Sequence, residues 1–306
     1  MLVYRYVRFT VLSFFLIIAM SAVAQEATAG RTTSIEVADG VHLLVGFACN
    51  IVAVSGQEGV LLIDNGSADT AGQLKEAINA LGSGQVRIAI NTHFHFDHIG
   101  ANEQLSKDGV VIVAHDGVRQ NMQTEWRLPN NTPGIKYPPV PPYPETALPM
   151  LTLNNVLTVH FRGEEIEVRY FPDAHSDADV AVFLRGANVL HTGDLYLSNG
   201  FPIIDSFHGG TIDGVIAAVD TLISLIDDDT KVVPGHGPVS NREGLREYRQ
   251  LLGAGRVRIA TLIEEGKTLE EIVAADPLAG LYRQGESWLP PRLFIWTVYR
   301  YLSPRH

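Results

Sequence analysis

The sequence predicts an α/β protein whose two halves, each a set of strands with helices, suggest a four-layer αβ/βα sandwich. Three observations predict it. Strand, helix and strand follow one another from about Gly59 to Ile90, a βαβ unit. From Leu157 to His191 the rhythm turns to pure β, in short apolar runs separated by Gly-containing turns. A second helical spacing, Thr211 to Ile226, then leads into a last strand, Lys231–Val233.

The amino-terminal stretch stands apart from this pattern. Arg5 and Arg8 give it a positive start, Val11 to Met20 is almost wholly apolar, and Ala22-Val-Ala24 fits the small-residue cleavage rule. Residues 1–24 therefore read as a secretory signal peptide, too short in its apolar run for a comfortable membrane span. Cleavage after Ala24 removes two arginines and no acid, taking the formal charge of the 306-residue chain from −11 to −13. An acidic mature chain argues against nucleic acid or an anionic membrane as partner and leaves a small-molecule substrate. The expected location is periplasmic or secreted. Residues 25–306 suffice for one large domain. Cys49 is the only cysteine, so no internal disulfide forms. It falls in Val45–Val52, read as a strand, where a buried inert thiol is expected.

Between Thr33 and Asp64 strand-like runs are broken by Asp39-Gly40 and Gln57-Glu-Gly59, which are hairpin signals. Asp64 ends one run, just before Asn65-Gly66. Apolar residues at 74, 77, 78 and 81 give Ala68–Leu81 a helical spacing, and Val86–Ile90 reads as a buried strand. Ala101–Leu105 can begin a helix, and Val110–Ala114 is the next strand, with a structural His115 at its end. Between Pro129 and Pro149 lie eight of the chain's 16 prolines, a semi-rigid loop unable to hold a helix. If that loop borders a site, Trp126, Tyr137 and Tyr143 offer apolar contact surface. The β runs that follow are Leu157–Phe161, Glu165–Phe171, Val180–Leu184 and Asn188–His191, with His160 and His191 read as packing residues. The tail is helical at Arg242–Arg249, Arg256–Glu265 and Leu269–Ala274. Pro290–Tyr301 opens on prolines, as helices permit, and is expected to face the core. Gly266-Lys-Thr268 lacks the glycine and strand of a phosphate loop.

The chemistry is concentrated in Asn91-Thr-His93-Phe-His95-Phe-Asp97-His98-Ile-Gly100. It sits on a strand-to-helix connection, at the carboxyl end of a strand. In extended backbone His93 and His95 project to one side, because side chains alternate with period two. Two imidazoles so set can meet one metal ion, and Asp97 with His98 can reach a second. Three buried imidazoles without such a return would be costly.

The pattern His-x-His-x-Asp-His resembles the metal signature of the metallo-β-lactamase fold superfamily. His175 in Asp173-Ala-His-Ser-Asp177, Asp194 in His191-Thr-Gly-Asp-Leu195 and His236 in Val233-Pro-Gly-His-Gly237 match the family in order and approximate spacing. Leu61-Leu-Ile-Asp-Asn-Gly66 resembles its strand-to-turn segment, with Asp64 steadying the histidine loop. The resemblance runs from near Gly40 to near Gln250. It implies the αβ/βα sandwich and two zinc ions, with iron or manganese suited to the same donors. One ion would be held by His93, His95 and His175, the other by Asp97, His98 and His236, with Asp194 bridging. A bridging hydroxide would attack a carbonyl, with Asp97 as the catalytic group that orients it and moves its proton. Tyr196 and His208 are further candidates to face the substrate, beside Trp126.

Asp194 resembles the bridging acid of glyoxalase II thioesterases and quorum-quenching lactonases. Family members with β-lactamase activity commonly have Cys, or no ligand, at this position. Those with Cys often carry a Lys three residues later, where this chain has Leu197. Export favours a β-lactamase or lactonase, and the tail has no obvious basic cluster for glutathione. The expected activity is β-lactamase-like opening of an amide, lactone or (thio)ester carbonyl, with a lactonase or glyoxalase II-like thioesterase as the alternative. An iron-dependent dioxygenase and a non-catalytic periplasmic binding protein are the readings from other classes.

Overall fold

Strands β1 (Thr33–Ala38), β2 (Val41–Phe47), β3 (Cys49–Gly56) and β4 (Gly59–Ile63) form an antiparallel meander. Val45–Val52 is thus a hairpin and not one strand. The chain turns at Ala48, which has φ 76°, and Phe47 pairs with Cys49. The computed structural model describes residues 32–127, 132–133, 138–198, 200–282 and 290–303. The expected signal peptide and Tyr137 lie outside these described residues.

Helix α1 (Ala71–Ala80) carries the chain from β4 to β5 (Val86–Ile90), and the two strands are parallel, as a βαβ unit requires. After β5 come the short α2 (Phe96–Ile99) and α3 (Asn102–Lys107). β6 (Val111–His115) and β7 (Leu151–Leu153) complete a seven-stranded sheet in the order β1 to β7. Between them lie α4 (Asp116–Met122) and the proline-rich loop. Among its described residues that loop does admit a 3-10 turn, at Glu145–Ala147. His115 is structural, as expected: its Nδ1 accepts from Gly117 N and caps α4, and its ring stacks on Tyr170.

The second sheet has five strands in the order β12-β11-β10-β9-β8. These are β8 (Val156–Phe161), β9 (Glu164–Phe171), β10 (Asp179–Leu184), β11 (Val189–His191) and β12 (Lys231–Val233). All neighbours are antiparallel except β11 and β12. His160 is exposed on β8 and packs into no core. Helices α5 (Ile212–Leu225), α6 (Arg242–Glu264), α7 (Leu269–Ala275) and α8 (Pro291–Leu302) follow.

Period-two alternation explains the layers, because β3, β4, β6, β10 and β11 are buried on both faces. Val52, Val54, Leu61, Ile63, Ile90 and Val113 meet Val168, Val180, Val182 and Val189 between the sheets. The intervening Ile51, Ala53, Val60 and Leu62 pack under Leu74, Ile78 and Leu105 of α1 and α3. Ala181, Phe183 and Leu190 pack under Val215, Val219 and Leu222 of α5 and Leu252 of α6. Helix, sheet, sheet, helix is the four-layer αβ/βα sandwich.

The tail differs from expectation in one respect. Arg242–Glu264 is one helix of 23 residues, uninterrupted at Gly253 and Gly255. Gly255 is there for packing: a Cβ on it would lie 3.0 Å from Phe294 and 3.2 Å from Leu278. The absent side chain lets α8 seat Phe294 directly on α6. Gly255→Leu is therefore expected to lower stability by about 1–3 kcal/mol through overpacking. At Gly253 a Cβ would meet only the end of Arg249, so Gly253→Ala is expected to be neutral or up to about 1 kcal/mol stabilising. Urea denaturation of the two variants distinguishes the positions; equal effects would contradict the packing account.

Candidate metal centre

Four strand ends deliver the polar cluster. β9 and β11 are each antiparallel to β10, and β12 is parallel to β11, so their carboxyl ends lie on one edge. After β9 comes His175, after β11 a 3-10 turn (Gly193–Leu195) carrying Asp194, and after β12 His236. β5 of the other sheet delivers His93 and His95 on a bent loop, not an extended strand, and α2 carries Asp97 and His98. Asn50 of β3 ties the His236 loop across the seam between the sheets, its Nδ2 donating to Pro234 O and Gly237 O. Gly235 permits the approach, since a Cβ there would lie 2.0 Å from Asp194 Oδ1.

All seven residues singled out in the sequence meet here. His93, His95, His175 and Asp194 form one group whose ligand-type atoms lie within 4.8 Å of one another, and Asp97, His98 and His236 form another. Asp194 faces both. Its Oδ2 is 4.0 Å from His93 Nε2 and 3.8 Å from His175 Nε2, while its Oδ1 is 3.3 Å from His98 Nε2 and 3.4 Å from His236 Nε2.

The outer hydrogen bonds fix which ring nitrogens face inward. His175 Nδ1 donates to Ile203 O at 2.8 Å, leaving a lone pair on Nε2. His95 Nε2 donates to Asp205 Oδ2 at 3.0 Å, leaving one on Nδ1. These two lone-pair atoms stand 3.0 Å apart. His98 Nδ1 donates to Asp64 Oδ2 at 2.8 Å, and its Nε2 lies 3.3 Å from His236 Nε2. Thr92 gives its hydroxyl proton to Asp64, so at 3.0 Å it can only accept from His93 Nδ1. His93 Nε2 then also presents a lone pair. Among the described residues, His93 Nε2 and Asp194 Oδ1 are buried without a hydrogen-bond partner.

Lone pairs so crowded need a positive charge among them, either protons or a metal cation. Burial works against protons at two rings: it pushes His175 down to about 4 and His93 well below the ordinary imidazole value. The donor set and its inward aim fit a metal ion.

Asp205 was not legible in the sequence. Burial raises its carboxyl, but hydrogen bonds from His208 and His95 outweigh this and hold it well below the usual range. It accepts from His95 Nε2, His208 Nδ1 and Trp126 Nε1, the last two at 2.8 and 3.2 Å. His208 therefore supports Asp205 and does not line the cleft, correcting its expected role. Tyr196 is likewise corrected: it is buried, packs on Tyr248, and donates its hydroxyl to Ser240 Oγ. Trp126 does line the cleft. Tyr143 packs with it against a small core around Phe94 and Val118. Cys49 is buried behind His98, and burial pushes its thiol up to about 11, consistent with an inert group.

The cleft above the cluster has the His95, Asp97, Asp194, Asp205 and His236 side chains as its polar floor. Its walls are Phe96, Trp126, Ile203, Ile204 and Phe207, with Leu293, Trp296 and Thr297 contributed by α8. Thr132 brings the proline-rich loop to its edge, and Trp126 pairs through its backbone with Val140 to close that loop.

Residues 44–236 match the sequence model of the Metallo-beta-lactamase superfamily. The chain belongs to that superfamily. Solved structures of the same fold include a metallo-β-lactamase from Pontibacter korlensis, at 20% identity and TM-score 0.59, covering 73% of this chain and 99% of that one. The DIM-1 metallo-β-lactamase matches at 19% identity and TM-score 0.58, over 73% and 97%. A double mutant of the sec-alkyl sulfatase PisA1 matches at 19% identity and TM-score 0.65, over 90% of this chain and 51% of that one. The fold and family are those the histidine motif implied, and the chain is a hydrolase of that family with a His/Asp cluster that could bind metal.

The tautomers are open to direct observation. Long-range ¹⁵N–¹H correlation spectra of metal-free protein are expected to show His95 protonated on Nε2 and His175 on Nδ1. The opposite tautomer at either ring would remove its inward lone pair and contradict the assignment.

Proposed function

We propose that this chain is an exported dinuclear zinc hydrolase that opens an amide, lactone or (thio)ester carbonyl. The carrying observation is the pair of inward-facing donor groups that meet at Asp194. His93, His95 and His175 would hold one ion and Asp97, His98 and His236 the other, with Asp194 shared; iron or manganese could use the same donors. A bound pair would lower the pKa of water to about 7 and polarise a carbonyl. The chain's own groups do the remainder. Asp97 lines the cleft and can orient the attacking water and accept its proton. Asp64 and Asp205 hold His98 and His95 in register, and the apolar walls exclude bulk water.

Lactone or thioester is favoured over β-lactam by Leu197, which is buried against Leu293 and Trp296 and offers no cation for a substrate carboxylate. Export to the periplasm or medium rests on the Arg-flanked apolar run that ends at Ala22-Val-Ala24. The test of function is a panel of lactones, thioesters, β-lactams and phosphoesters on zinc-loaded protein, with oxygen uptake followed in parallel. Oxygen consumption would support the dioxygenase reading, and turnover of nothing in the panel the binding-protein one.

Two measurements probe the centre. About two divalent ions per chain are expected at saturation. In metal-free protein His236 is raised to about 9: burial opposes the shift, but Asp194 and Asp97 outweigh it. His236 is thus protonated at neutral pH and must lose that proton to bind metal, so affinity should rise with pH up to about 9 and uptake should release protons. Calorimetry in buffers of different ionisation enthalpy reads this; one ion or fewer, or no proton release, would contradict the arrangement.

Asp194→Asn keeps the size but removes the shared charge. It is expected to preserve the fold, weaken one metal site, and lower kcat/KM by at least about 10²-fold, roughly 2.7 kcal/mol. His191→Gln should leave metal content unchanged, since His191 Nε2 only donates to Asn50 O and its Nδ1 accepts from Gly193 N. Two tightly held metals and near-normal turnover in Asp194→Asn would exclude the shared role.

A further inference from the structure

We infer that the substrate class is an uncharged carbonyl compound carrying an apolar chain, and that α8 with Phe207 sets this preference. The inference rests on the hydrolase reading above. The polar groups of the cleft floor belong to the His/Asp cluster or, as Asp205, support it. Away from that floor the described lining is aromatic and aliphatic, relieved only by Thr132 and Thr297. The Thr297 hydroxyl is already given to Leu293 O. No lysine or arginine stands among the described lining residues.

The wall is also braced. Phe96 and Trp126 approach to 6.2 Å between ring centroids on one side, and Phe207 and Trp296 to 6.0 Å on the other. Arg300, outside the described lining, lays its guanidinium over Phe207 and Trp296 at 4.7 and 4.8 Å from their centroids. A cation held on two ring faces stiffens that wall. A carboxylate at the far end of a substrate's acyl chain would lose its hydration against these apolar walls, with no lysine or arginine among the described lining residues to receive it. An alkyl or aryl group would displace water from the same walls and gain.

The test uses the full zinc-loaded chain, with metal content measured first. Two series of p-nitrophenyl esters share one leaving group: straight acyl chains of increasing length, and acyl chains of matched length ending in a carboxylate. For the neutral series kcat/KM is expected to rise about three- to fourfold per added methylene until the cleft is filled. The carboxylate series is expected to fall at least about tenfold below its neutral partners. Phe207→Ala, at an exposed residue outside the buried core, should reduce the slope of log kcat/KM against chain length. Trp296→Leu should do the same. Arg300→Gln should leave the order of the two series unchanged.

A metal-loaded, active enzyme with a flat chain-length profile, or with the carboxylate series preferred, overturns the inference and leaves the hydrolase reading standing. Loss of a carboxylate preference in Arg300→Gln would overturn it too, by making that guanidinium a substrate clamp. A chain that binds no metal and cleaves neither series overturns the hydrolase reading and this inference with it.

Discussion

The centre depends on one buried carboxylate. Asp64 is fully buried and accepts from Thr92 N, from the Thr92 hydroxyl and from His98 Nδ1. Because the Thr92 hydroxyl is committed to Asp64, His93 must donate to Thr92, and its other nitrogen must look inward. A single acid therefore orients one ring in each of the two donor groups. Asp64 has φ 61°, a conformation that costs a non-glycine residue of order 1–3 kcal/mol. The hydrogen bonds it collects offset that cost, and aspartate tolerates the conformation better than most residues.

The second constraint is the apolar interface between the sheets. One sheet supplies the loop with His93, His95, Asp97 and His98, and the other supplies His175, Asp194 and His236. The distance between the two sets is thus a property of how Ile63, Ile90 and Val113 seat on Val168, Val180 and Val182. Asn50 and His191 reinforce the setting at the rim, where polar groups cross from one sheet to the other. Core packing and ligand geometry are one problem here, because a shift of the sheets would separate atoms that now stand 3.3 Å apart.

Much of this was legible in the sequence where the signal is local. His93 to His98 lie within six positions, and apolar alternation marks the central strands, so the cluster and the layers could be read directly. Asp64 was readable as a strand-ending acid but not as a hub, since its partners lie 28 and 34 residues away. Asp205 gave no local sign, because what distinguishes it is burial beside His95, 110 residues earlier. Tyr196 misled because proximity to Asp194 in sequence says nothing of direction: the 3-10 turn sends its ring into the helical layer. The continuity of α6 was hidden by its glycines, whose weakening effect on an isolated helix is outweighed by packing under α8. The turn at Ala48 was hidden because an alanine with positive φ has no sequence signature.

The last helix of the chain stands in a different relation to the centre. The loops that carry the His/Asp cluster are anchored at four strand ends in two sheets, so an alteration in one is felt by the others. α8 touches the cleft through Leu293, Trp296 and Thr297 while Phe294, Ile295 and Val298 rest on the helical layer. Part of the cleft wall is therefore supplied by a helix that carries none of the His/Asp cluster. Inherited variation near the carboxyl terminus can change which molecules are accepted without disturbing the reacting groups.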